Sequence, residues 1–200
     1  MLYPCIMISL AVAFCSWITG ALKYRYSSLP PGPKSIRLLR LLPSEDAAAD
    51  IKCQLFNYSL QLSERTHLYE ALSYVWGKQE DAKSISIDGR LFMVRDNLHR
   101  ALLRLRNHSV ERVLWVDAIC INQEDDKEKE GQIKHIATIY NQANRVIVWL
   151  GDATDDSNQA FEHIRIAAED ESRVPSSDED SEKAVLSILA RKWFRRIWVS

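Results

Sequence analysis

The sequence predicts an α/β fold: a mostly parallel sheet with flanking helices, plus a β-hairpin insertion. Residues 113–116 are a continuous apolar run with β-branched and aromatic members, as a strand covered on both faces requires, and residues 144–151, Asn-Arg-Val-Ile-Val-Trp-Leu-Gly, read as a further buried strand. Residues 124–142, between them, carry Ile133, Ile136, Ala137 and Tyr140 at helical spacing, with Ala143 next in phase. Strand, helix and strand in that order make a parallel βαβ unit with a right-handed crossover. Asp88-Gly89, flanked by Ile85, Ile87 and Leu91, Met93, is a strong short hairpin signal.

The 200 residues, 46% hydrophobic, suit one domain with a sizeable core and a short appendage. With 26 basic and 27 acidic residues the formal charge is -1, which gives no global attraction for nucleic acid or anionic membranes, and no nucleic-acid partner is expected. Cys5, Cys15, Cys53 and Cys120 form no CxxC pair, and the five histidines have no metal-ligand spacing, so no metal site is expected. Few, scattered cysteines fit a reducing compartment.

Taken in order, residues 1–22 carry no charged side chain and as a helix would span about 33 Å, enough for a membrane anchor. The basic residues that follow, Lys23, Arg25, Lys34, Arg37 and Arg40, place the next domain on the cytoplasmic side, and a cytoplasmic protein without an anchor is the alternative localisation. A cleaved signal peptide and a buried helix are the rival readings of the run; no basic residue precedes it, as a signal peptide would have. Residues 23–35 read as a linker, because Pro30, Pro31 and Gly32 forbid regular structure. Residues 36–42 and 51–62 look like strands. Residues 68–77 form another, in which Glu70 reads as an edge or end position exposed to water. A helix over residues 97–106 follows the hairpin, with Asp96 or Asn97 available as its cap. Its Arg100 and Arg104 share a solvated face.

The densest information lies in residues 114–123, where an apolar run breaks into Asp117, Cys120, Asn122 and Gln123. Asp117 falls near the carboxyl end of its strand, where open α/β sheets bind ligands. The same groups equally serve to bond loop and helix amides. The helix at 124–142 opens with Glu124, Asp125, Asp126 and Glu128, as its dipole favours. Gly131 weakens it by about 1 kcal/mol relative to alanine, unless close packing needs the missing side chain. After the third strand come the polar loop that begins at Asp152, a helix near 159–169, an acidic serine-rich surface segment at 172–182, and a helix at 183–193.

Together these blocks resemble the fungal heterokaryon incompatibility (HET) domain. Tyr69-Glu70-Ala71-Leu72-Ser73-Tyr74-Val75-Trp76-Gly77 is similar to its first signature, and Asn97-Leu98 with Ala101-Leu102 to its helix. Residues 114–123 and 146–151 resemble its second and third blocks, and Trp193-Phe194-Arg195-Arg196-Ile197-Trp198-Val199 its fourth. The resemblance covers residue 36 to the end. It implies a signalling role in non-self recognition and programmed cell death, with partners among incompatibility or death-signalling proteins and self-association into a homo-oligomer. It also implies a fold like that of the Toll/interleukin-1 receptor (TIR) domain, in a flavodoxin-like arrangement. Some TIR domains cleave NAD at its nicotinamide bond with a late glutamate, which stabilises oxocarbenium character on the ribose. The fourth HET block continues into an acidic residue where this chain ends at Ser200. The expectation is therefore a domain over residues 36–200 incomplete on its carboxyl side and without that carboxylate.

Three functional readings follow. In the first, the domain acts by protein–protein association, and its tryptophans are core or interface aromatics. In the second it cleaves NAD, a substrate rather than a bound cofactor, with Glu70, Asp117, Asn122, Gln123 and Asp152 as pocket candidates; Trp76 and Cys120 complete the signature residues. No GxGxxG or P-loop supports a different phosphate cradle. In the third, Cys120 is a nucleophile with His99 or His135 as base.

Overall fold

The computed structural model describes residues 22–31, 34–60, 67–169 and 179–195. They fall into two compact units. The larger comprises Gly77–Ile147 and the described part of Met1–Ser73; the smaller comprises Tyr74–Trp76 and the described part of Val148–Ser200.

Seven strands form one mixed sheet of order β5-β4-β2-β1-β6-β3-β7, made of β1 (Ser35–Leu41), β2 (Lys52–Ser59), β3 (His67–Tyr74), β4 (Ala82–Ile87), β5 (Arg90–Arg95), β6 (Arg112–Trp115) and β7 (Ala143–Trp149). β1 lies at the centre with Ile36, Leu38, Leu39 and Leu41 buried, as suits a mostly apolar strand interrupted only by Arg37 and Arg40. It pairs antiparallel with both β2 and β6. Parallel pairing joins β3 to β6, with Glu70 opposite Leu114, and β2 to β4. β3 therefore sits between β6 and β7, and the expected strand–helix–strand crossover spans an intervening strand.

The hairpin is as expected. β4 and β5 pair from Ala82↔Arg95 to Ile87↔Arg90 around Asp88 (φ 51) and Gly89 (φ 74), the two left-handed residues of a type I′ turn. The helix that follows, α1 (Asp96–Leu105), buries Leu98, Ala101 and Leu102. Neither Asp96 nor Asn97 is its cap. Arg95 takes the cap position in extended conformation, the Asp96 amide donates to Asp81 O at 2.8 Å, and the Asp96 carboxylate pairs with Arg100 one turn on.

The helix expected at 124–142 folds as two, α3 (Asp126–Ile133) and α4 (Ile136–Gln142), separated at Lys134-His135, and the short α2 (Asp117–Cys120) precedes them. The predicted apolar stripe is displaced by one residue. Ile133 is 52% exposed, whereas Gln132 and Ile139 are buried. The reason is chemical: Gln132 turns inward to donate to Ser35 O at 2.8 Å, which a stripe drawn from apolarity alone overlooks. β7 is not covered on both faces either. As the last strand in the order it leaves Val146 47% exposed.

In the smaller unit, α5 (Asp155–Glu169) and α6 (Glu179–Leu189) begin earlier than predicted, and residues 179–182, expected in a surface loop, are helical. Ala160, Ala184 and Ile188 form its core with Leu150 and Val185 against them. The apolar run at 1–22 lies, except for Leu22, outside the described residues, as do most of the acidic segment and the end of the fourth signature block. Among the described residues no helix is long and apolar enough to cross a membrane.

Candidate functional site

At the carboxyl end of β6 the chain turns sharply through α2 and Asn122–Asp125 into α3. Asp117 lies near the carboxyl end of the strand, as predicted, two residues past Trp115. Its carboxylate accepts the Ala118 amide at 2.7 Å, and its carbonyl accepts Gln123 Nε2 at 3.0 Å. Asn122 Oδ1 accepts the Glu124 amide at 3.2 Å. Asp125 caps α3 by accepting the Lys127 and Glu128 amides. Three residues after that cap, at the position of a capping-box glutamate, stands Glu128. It does not bend back to its own cap. It accepts the Asn122 amide at 2.7 Å and both Nη atoms of Arg37, at 2.6 and 2.9 Å.

Arg37 is the hub of this loop. Projecting from the central strand β1 with 2% of its side chain exposed, it forms a two-pronged ion pair with Glu128, itself 12% exposed. Its Nη1 also donates to Cys120 O at 3.3 Å and its Nη2 to Ser27 O at 2.6 Å. The Tyr26 ring stacks against its guanidinium at 4.9 Å, and the Tyr26 hydroxyl donates to Ile119 O at 2.8 Å. One cation thus ties β1, the amino-terminal segment, α2 and α3 together.

Cys120 is wholly buried. Its thiol accepts the Val116 amide at 3.3 Å and faces Leu114 O at 4.0 Å. Burial pushes its pKa up to about 12, so the thiol stays protonated at neutral pH. Among the described residues its hydrogen-bond partners are backbone groups, with neither His99 nor His135 among them. Burial also lowers the His99 pKa.

Glu70 corrects the prediction of an edge or end position exposed to water. It lies on an inner strand, 9% exposed, and is held between Arg112 Nε at 2.9 Å and Arg145. Two cations from β6 and β7 supply what a buried carboxylate needs.

In front of this loop lies a cleft of about 870 Å³, lined by Lys23, Tyr24 and Tyr26, by β5 at Leu91 to Met93, and by Asn122 to Glu124. Tyr24, Tyr26 and Phe92 make an edge-to-face trio with ring centroids 5.2 to 6.1 Å apart. Burial raises the pKa of both tyrosines. The Lys23 ammonium meets Glu124 across the opening at 3.1 Å.

The structure thus brings Asp117, Cys120, Asn122 and Gln123 into one loop, with Asn122 and Gln123 facing the cleft. Glu70 belongs to a separate arginine cluster. Trp76, half-buried, and Asp152, whose carbonyl accepts Arg191 Nη1 at 3.3 Å, belong to the smaller unit. Sequence reasoning missed Arg37 and Glu128. Two signals pointed to them: an arginine, Arg37, set between apolar residues in the run Ile36–Leu42, and the capping-box spacing of Asp125 and Glu128.

The family profile described as heterokaryon incompatibility protein (HET) matches residues 69–200. Heterokaryon incompatibility protein 6, OR allele, of Neurospora crassa is 39% identical over 142 residues, which make up 64% of this chain and 20% of that protein. The chain therefore spans about a fifth of the length of the curated relative it matches. No solved structure matches it.

Proposed function

Because the chain belongs to the heterokaryon incompatibility family, we propose that it is a signalling domain of fungal non-self recognition, acting through protein–protein association and able to trigger cell death. The observation that carries the reading is how the signature groups in the larger unit are used. Asp117 bonds the next amide, Cys120 is a buried neutral thiol, and Glu70 is neutralised between two arginines. Groups spent on internal hydrogen bonds and ion pairs hold a rigid surface rather than present a reacting atom.

A second reading, TIR-like NAD cleavage, draws support from the cleft beyond β6 and from the amides of Asn122 and Gln123 that face it. The carboxylate lining that cleft is Glu124, exposed and paired with Lys23. An exposed, ion-paired carboxylate gives little of the desolvated field that an oxocarbenium ion requires.

The test is to express the protein in fungal hyphae and follow growth, and to assay the purified protein for nicotinamide release from NAD. Association predicts growth arrest, recovery of a complex from those hyphae, and nicotinamide release no faster than in buffer. Steady release of nicotinamide would overturn the association reading in favour of the enzymatic one.

A further inference from the structure

Residues 23–27 belong to no helix or strand of the fold, yet they are tied to elements far along the chain. The Tyr24 amide donates to Leu91 O at 2.8 Å and Lys23 bridges to Leu91 in parallel, so the segment takes the outer edge of β5 for one rung. The Lys23 ammonium meets Glu124 in the signature loop, the Tyr26 hydroxyl donates to Ile119 O, and Ser27 O accepts Arg37 Nη2. Tyr24 and Tyr26 pack edge to face on Phe92 of β5. Proteins ordinarily cover the edge of a sheet, because an open one pairs with other chains. Here the cover is a strap, laid across the outermost strand by the chain's own amino-terminal segment.

Two features make this strap exchangeable. The first is its loose connection to β1. Residues 28–31, Ser-Leu-Pro-Pro, make no hydrogen bond among the described residues. Ser28 and Leu29 border an open cleft of about 420 Å³ beside Lys127, Gly131 and Gln132 of α3 rather than filling it. Pro30 and Pro31 favour an extended chain, and at about 3.1 Å per residue the stretch 28–34 would reach about 22 Å, enough to seat the strap on a neighbouring copy. The second feature is that every group the strap touches is present on any other copy of the chain. An exchange therefore rebuilds the same contacts in trans: Tyr24 on Leu91, Lys23 on Glu124, Tyr26 on Ile119 and Ser27 on Arg37. Closed and exchanged forms then differ little in contacts, which is what makes exchange a low-cost route to a dimer.

We propose that two copies of the chain associate by trading these straps, residues 23–27 of each seating on β5, the signature loop and Arg37 of the other. The pairing is two-fold and closes on itself, so it stops at a dimer. The inference rests on the association reading and deepens it, by making a second copy the partner and the strap the interface.

The test asks on which chain each strap sits. Isotopically light and heavy full-length chains are mixed in equal amounts, unfolded in urea, refolded together and treated with a carbodiimide, which joins an ammonium to a carboxylate in contact with it. In the dimer fraction about half of the Lys23–Glu124 linked peptides should join a light chain to a heavy one, as random two-fold pairing requires. Linked peptides that are only light–light and heavy–heavy overturn the proposal, as does a chain that sediments as a monomer at every concentration. Charge reversal gives a second arm that needs no refolding. Lys23→Glu alone and Glu124→Lys alone each set like charges at the strap contact, whereas in a mixture every exchanged strap meets an opposite charge on the other chain. By sedimentation the mixture should dimerise at least about tenfold more tightly than either variant alone, and the gain should vanish in high salt. Equal association of the mixture and the single variants overturns the proposal even where the labelled chains fail to refold. Growth arrest in hyphae is read separately: arrest without exchange removes this inference and leaves the association reading standing, whereas exchange without arrest does the reverse.

Discussion

Replacing Glu128 by glutamine isolates the tie that the loop depends on. The side chain keeps its size and one carbonyl oxygen, but the Arg37 guanidinium, 2% exposed, loses its counter-charge. Contacts at 2.6 and 2.9 Å to Arg37 and at 2.7 Å to the Asn122 amide are weakened or misdirected together. Breaking a buried pair by removing one partner costs about 3–5 kcal/mol, because the remaining charge stays buried. At about 2–4 °C per kcal/mol for a chain of this size, the melting temperature should fall by about 6–20 °C. The assay is urea unfolding followed by tryptophan fluorescence, with a double-mutant cycle through Arg37→Met, Glu128→Met and the combined variant. The double variant should lose less than the sum of the singles, since it strands no charge. A Glu128→Gln loss below about 1 kcal/mol, within the range of exposed pairs, would refute the assignment of Arg37 as the hub.

Gly131→Ala should raise stability by up to about 1 kcal/mol in the same unfolding assay, since the position is inside α3 and an added methyl meets nothing within 4 Å. Glu70→Gln should cost about 1–3 kcal/mol by leaving Arg112 and Arg145 without a counter-charge on an inner strand. For Cys53 and Cys120, burial pushes both thiol pKa values up to about 12 from an ordinary 9.0, so the folded state holds protons that the unfolded state releases. The stability they contribute is therefore complete below pH 9 and declines as pH rises toward 12, and the urea midpoint of wild type should fall over that window more steeply than that of a Cys53→Ala/Cys120→Ala variant. At pH 8 neither thiol should react with a thiol reagent until the chain is unfolded, as read from labelled peptides by mass spectrometry.

The strands were legible wherever apolar residues ran unbroken or flanked Asp88-Gly89, because those patterns arise from local chemistry. Asp117 was legible as the end of β6 for the same reason. What could not be read were the long-range partners. Arg37 is buried because Glu128, 91 residues on, and two backbone carbonyls meet it, and Glu70 because Arg112 and Arg145, the latter 75 residues on, do so. A charged residue in a strand pattern reads as an exposed one until such a partner is known. Gln132 misled in the same way: its amide turns inward to Ser35 O and carries the helix face with it. The exposure of β7 depends on its place at the end of the strand order, which no segment of sequence specifies alone.

The central claim is that the signature groups hold a surface rather than perform a reaction. Growth arrest by Asp117→Asn, Cys120→Ala, Glu70→Gln and wild-type protein, each plotted against its folded fraction at the growth temperature, tests this most directly. All four are expected to fall on one curve set by folding alone. A variant that is as folded as wild type yet arrests nothing would contradict it, and would mark its residue as a reacting group.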